Sequence, residues 1–134
     1  MIVDDNYLSA EGIEKNIDWE TLNAEIIHVC YNGTSAIEAM KKEPADLIIS
    51  DIEMPDLDGI SMSRQALEIN PMVKIILISA YDKFEYARRA LLLGALDYIE
   101  KPLDYAYLIQ KVKNAFALME KEQKNLQLLK QSRP

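Results

Sequence analysis

Short, unbroken apolar runs alternate along this chain with stretches whose apolar residues recur at helical spacing. The runs predict strands at 1–4, 25–30, 46–50, 74–78 and 97–99. Residues 46–50 and 74–79 are almost continuously aliphatic rather than alternating, the pattern of strands buried on both faces. Helices are expected between them. Residues 9–17 form one, with Leu8, Ile13 and Ile17 assigned to a shared apolar face. Residues 34–42 form a second, capped by Asn32 or Thr34, with Ala36, Ile37 and Met40 on its apolar side and Pro44 as its stop. A third spans 59–69 and closes at Asn70-Pro71. A fourth spans 84–93 and ends on Gly94. Asp104 caps a fifth, from Tyr105 to at least Met119. Strand and helix alternating five times predict an α/β fold: a doubly wound five-stranded parallel sheet with helices on both faces. The order 2-1-3-4-5 suits this length, and it sets strands 1 and 3 at the switch point where ligands bind.

Composition narrows the picture. The 134 residues make one domain by length, and about half are apolar, enough for a single core. A net charge of −7 argues against this chain gripping nucleic acid or an anionic membrane by itself. No apolar stretch reaches the ~20 residues of a membrane span, and no secretory signal is visible. The single cysteine, Cys30, lies in an apolar run and reads as a buried structural thiol, with the cytoplasm as the default location. Met1-Ile2-Val3 is short beside the usual strand of ~5–6 residues, so further residues are expected upstream.

The polar residues just past the apolar runs carry the candidate chemistry. Asp4-Asp5 follow the first run, Asp51 the third, Ser79 the fourth and Lys101 the fifth. In a parallel sheet these side chains meet at one edge. Unit charges ~4 Å apart repel by about 4 kcal/mol at an effective dielectric of 20, so clustered carboxylates call for a cation. Hard oxygen donors in an open site suit Mg²⁺, which keeps several waters that phosphoryl oxygens can replace. Asp51 is placed as a nucleophile toward phosphorus. Lys101 would neutralise the phosphoryl oxygens and Ser79 would donate a hydrogen bond to one of them. Each residue alone has a plainer reading as a turn acid, a strand end or a loop lysine. The joint spacing is what chance rarely supplies.

The same residues carry a family resemblance. Val3-Asp4-Asp5, Asp51-Ile52-Glu53-Met54-Pro55 with Asp58-Gly59, Ser79-Ala80, Gly94-Ala95 with Asp97-Tyr98, and Lys101-Pro102 resemble the signature blocks of response regulator receiver domains, over about residues 1–119. The resemblance implies the flavodoxin-like receiver fold and a signalling module rather than an enzyme. It implies that Asp51 accepts phosphate from a sensor histidine kinase. Mg²⁺ would be held by Asp5, Asp51 and the backbone carbonyl of Glu53, with Asp4 acting through a metal-bound water. Ser79 and Tyr98 would be the switch pair, acting on the face made by the fourth helix, fifth strand and fifth helix. Lys101 would contact the phosphoryl group, the bond to Pro102 would be cis, and Glu53 and Tyr81 would tune phosphate lifetime. One departure is Asn6, where many receivers carry Glu or Asp.

Residues 81–87 and 12–19 are similar to a receiver subgroup usually joined to an AraC-type helix-turn-helix DNA-binding domain, so DNA would be reached only through an effector domain beyond this chain. Residues 120–134 read as a helical linker or tail toward it. Leu108, Val112, Ala115, Met119, Glu122, Leu126 and Leu129 follow a 4-3-4-3 spacing that Glu122 interrupts. The part up to Met119 is expected to pack on the sheet. The rest would pair with its mate in a homodimer, for which the fourth helix–fifth strand–fifth helix face is the other candidate. Three other readings compete with this one, of which the last fails on charge. One is a stand-alone receiver that works by docking to a protein. Another is a phosphohydrolase of the haloacid dehalogenase type, which wants Asp where Glu53 stands. The last is an FMN carrier, which the acids after the first strand oppose.

Overall fold

The computed structural model describes residues 1–80 and 84–131, and within them the strands form one parallel sheet. β1 is Ile2–Val3, β2 Val29–Cys30, β3 Leu47–Asp51, β4 Lys74–Ser79 and β5 Asp97–Glu100, in the order β2-β1-β3-β4-β5. The intervening helices are α1 Tyr7–Asn16, α2 Gly33–Lys42, α3 Gly59–Ile69, α4 Phe84–Leu93 and α5 Tyr105–Gln131, with a short 3-10 turn at Glu20–Leu22.

Alternation along the strands sorts the core into two layers. Ile48, Ile75 and Leu77 point to one face and pack with Ile37 and Met40 of α2, Ile60 and Ala66 of α3, and Ala90 of α4. Leu47, Ile49, Ile76 and Ile78 point to the other, against Ala10 and Ile13 of α1 and Leu108, Val112 and Ala115 of α5. Both faces are therefore covered, which explains why β3 and β4 read as continuous aliphatic runs.

Three helix starts rest on side-chain caps, of which Asn32 and Asp104 were expected from the sequence. Asn32 accepts from the Ser35 N–H, Asp58 from the Ser61 N–H, and Asp104 from the Ala106 N–H. Gly94 follows α4 with φ +97, a conformation that favours glycine.

Two local expectations are corrected. The second strand was expected over 25–30, yet only Val29 and Cys30 pair, because β1 offers them only Ile2 and Val3 as partners. Leu8 does not share a face with Ile13 and Ile17 and is 79% exposed. Asn6 caps α1 from Tyr7 onward, and the buried face runs through Ala10, Ile13 and Ile17. Leu8 lies five positions before Ile13, well off that face at 3.6 residues per turn.

One glycine is fixed by close approach. A Cβ on Gly59 would run into the carbonyl oxygen of Asp51, while the Gly59 N–H donates to the Ile52 carbonyl at 2.8 Å. The start of α3 is thereby pressed against the end of β3. Replacing Gly59 with Ala is expected to lower the unfolding free energy by about 1–3 kcal/mol, the usual cost of overfilling a tight contact, read from urea denaturation curves. A stability equal to wild type would show that the loop yields freely.

Candidate functional site

The order of the strands delivers the acids to one place. β1 and β3 are neighbours, with Val3 opposite Ser50, so Asp4 and Asp5 emerge beside Asp51. One carboxylate oxygen from each of Asp4, Asp5 and Asp51 lies within 4.8 Å of the others. Asp4 is 2% exposed and Asp51 7%, whereas Asp5 is open to solvent. Lys101 arrives from the end of β5 and bridges the two buried acids. Its Nζ donates to Asp4 Oδ2 at 3.3 Å and stands 3.6 Å from Asp51 Oδ2. The other Asp4 oxygen accepts the Asn6 N–H at 2.9 Å, so the residue that begins α1 also holds the pocket wall.

Ser79 is fully buried at the end of β4, one step beyond the Asp51–Ile78 pair. Its carbonyl accepts the Lys101 N–H at 2.7 Å, which ties the β5 loop to the β4 terminus. The Lys101–Pro102 peptide is cis. Tyr98 lies opposite Leu77 on β5, half-buried on the α2–α3–α4 side and packed on that core. Glu53 sits in the loop two residues past Asp51, beside a cleft of about 390 Å³ lined by Met54, Asp58, Tyr86 and Arg89. Tyr81 lies outside the described residues.

Charge is unbalanced here. Three carboxylates face one ammonium. Burial lifts the Asp51 carboxyl to about 6; Lys101 opposes that rise, and the charges of Asp4 and Asp5 add to it. Burial by itself would lower the Lys101 ammonium, but Asp51 and Asp4 outweigh it and hold its pKa above the ordinary lysine value. Asp51 Oδ1 is buried and has no hydrogen-bond partner within the protein. An orphaned, desolvated carboxylate oxygen beside two more carboxylates fits a hard divalent cation with oxygen ligands, and Mg²⁺ in particular.

Sequence reading singled out every acid of this cluster and set Lys101 beside them, but missed one support. Gly59 was recognised only as a motif residue and helix start, although its place after Met54-Pro55 hints at a tight return. Lys101 reaches Asp4 across 97 positions, as its place just past the fifth apolar run implied.

The raised Asp51 carboxyl has a consequence for stability. Its proton is held more tightly in the folded protein than in the unfolded chain, where the ordinary value is 3.8. Between those two values stability falls as pH rises, and above about 6 the whole penalty applies. Asp51→Asn is therefore expected to stabilise the metal-free protein above about pH 7, by on the order of 2 kcal/mol, with the gain vanishing below about pH 4. Urea denaturation in chelator at both extremes reads this directly, and an unchanged or lower stability at the higher pH would contradict it.

Comparison with known proteins agrees with this geometry. Residues 1–113 match the response regulator receiver domain. The REC domain of AraT, a response regulator from Geobacillus stearothermophilus, is 34% identical with a TM-score of 0.85, covering 91% of this chain and 95% of that one. A two component transcriptional regulator AraC from Clostridium phytofermentans is 31% identical with a TM-score of 0.81, covering 92% and 95%. The transcriptional regulatory protein YesN of Bacillus subtilis is 28% identical over 122 residues, 91% of this chain but only 33% of YesN, so the chain spans about a third of that relative. The dehalogenase-type and FMN-carrier readings give way to this match. The chain belongs to the response regulator receiver domains of two-component signalling and is related to those of AraC-type regulators.

Proposed function

We propose that Asp51 is the phosphoacceptor, taking its phosphoryl group from a phosphohistidine of a sensor kinase. The observation that carries this is the orphaned Asp51 Oδ1, buried beside two further carboxylates with Lys101 close to the partner oxygen. With a carboxyl pKa near 6, Asp51 is ionised at neutral pH and nucleophilic. Its oxygen bonds to phosphorus as the phosphorus–nitrogen bond breaks and the imidazole leaves with a proton.

Asp4, Asp5, Asp51 and the Glu53 carbonyl would hold Mg²⁺, with Asp4 acting through a bound water. When bound, the ion supplies positive charge against the carboxylates and the transferring group. Lys101 orients the phosphoryl oxygens, trading part of its pairing with Asp4 and Asp51 for them. Ser79 donates its hydroxyl to the same group. Tyr98 then turns into the space beside Ser79, and Glu53 and Tyr81 govern water access to the acyl phosphate. The α4–β5–α5 face is the two-state element so biased. The reading is of a switch rather than an enzyme, working in the cytoplasm. Among the described residues no helix is long and apolar enough to cross a membrane.

The output follows from the relatives. Transcriptional regulators dominate them, which supports residues 1–119 as the receiver and 120–134 as a link to a DNA-binding domain. A homodimer would form through α4–β5–α5, where Leu91, Leu92 and Tyr107 are exposed, or through the end of α5, where Leu126 and Leu129 are. Action as a stand-alone receiver that docks to another protein is the second reading.

Incubation with a small acyl-phosphate donor tests the centre of this proposal. Wild type with Mg²⁺ is expected to gain one phosphoryl group per chain, mapped to Asp51 by mass spectrometry. Asp51→Asn, or wild type in chelator, should gain at least tenfold less. Label at the wild-type level in the mutant, or sustained release of phosphate without a labelled intermediate, would overturn it.

A further inference from the structure

α5 runs unbroken from Tyr105 to Gln131, and its 4-3-4-3 seam changes character midway. Leu108, Val112 and Ala115 are fully buried against the sheet, and Met119 still packs on that core. Leu126 and Leu129, the last two seam positions, are 48% and 63% exposed. Glu122 stands between these two regimes. Its Oε1 accepts a hydrogen bond from Lys74 Nζ at 2.8 Å, and its Oε2, closed off from solvent, stands 2.8 Å from the same ammonium. The Lys74 side chain is only 14% exposed.

Lys74 is a firm anchor. It opens β4, pairs with Leu47 of β3, and its N–H donates to the Asp46 carbonyl at 2.9 Å. α5 runs back along the sheet from the phosphoacceptor edge, so residues near 119–122 reach the opposite edge, where β4 begins. Among the described residues past this point, none packs on the hydrophobic core. We propose that the Lys74–Glu122 pair is a positioning clamp: it fixes the direction in which the end of α5 leaves the receiver. At 1.5 Å per residue the helix extends about 26 Å from Tyr105 to Glu122 and about 14 Å beyond. The pair adds a polar contact at the point where the buried seam of Leu108, Val112, Ala115 and Met119 ends. The pair is partly shielded, with the Lys74 side chain 14% and the Glu122 side chain 30% exposed, and both Glu122 oxygens lie 2.8 Å from the ammonium. Glu122 therefore serves the seam as its tether to the sheet. The inference holds whether or not the tail pairs with a second copy.

Spin labels on the intact chain test it, one at Gln65→Cys on α3 and one at Gln127→Cys on the tail, in a Cys30→Ser background. The distance distribution is expected to be narrow with the native pair. Glu122→Gln and Lys74→Met should each broaden it at least twofold. The charge-swapped Lys74→Glu/Glu122→Lys protein should narrow it again. Glu122 lies near the free end of the helix, so its substitution keeps the test valid even where Lys74→Met unfolds the domain. Two results would overturn the clamp: a Glu122→Gln distribution as narrow as the native one, or a charge swap as broad as the single variants.

Discussion

Repulsion among Asp4, Asp5 and Asp51 is the constraint around which the rest of this structure is arranged. The fold forces the three together, because β1 and β3 are neighbours and both end at the same edge. One ammonium, from Lys101, compensates in part, and it reaches the cluster only because β5 ends beside β4. The site is left with an excess of negative charge and one buried oxygen without a partner. Such an arrangement is costly by itself, and it is poised for whatever positive charge arrives. A pocket built this way responds strongly to a small chemical change, which is what a switch requires.

The remaining elements convert that sensitivity into geometry. Ser79 and Lys101 are joined through the backbone, so the two groups that would read a phosphoryl group sit on linked strand ends. β5 carries Tyr98 on the α2–α3–α4 side and leads into α5 on the other. α5 then crosses the sheet to the far edge, where Lys74 holds Glu122. The acidic pocket and the departing helix thus lie at opposite ends of one rigid rod.

Much of this was legible in the residue pattern, for physical reasons that differ from place to place. β3 and β4 were plain because strands covered on both faces must be apolar throughout. Asn32 and Asp104 marked helix starts because short polar side chains satisfy the free N–H groups there. The acids were legible because each follows an apolar run directly. β2 was overdrawn, since Ile26 and Ile27 look like strand yet find no ladder partner in β1. Leu8 was misplaced because apolar character alone does not fix helical phase. Lys101 was placed beside the acids by its position after the fifth apolar run, but the ion pair of Lys74 with Glu122 could not be read. Its partners are 48 positions apart, and neither carries a local signature. Glu122 even looked like a fault in the seam until its partner was seen.

The central claim is that these carboxylates form a cation site whose charge is set by Asp51. Calorimetric titration of the chain with Mg²⁺ across pH tests it most directly. One ion per chain is expected, with affinity rising as pH climbs through about 6 and levelling once Asp51 is ionised. Asp51→Asn should bind more weakly and lose that rise. Absence of binding, or an affinity indifferent to both pH and the Asp51 substitution, would contradict the account.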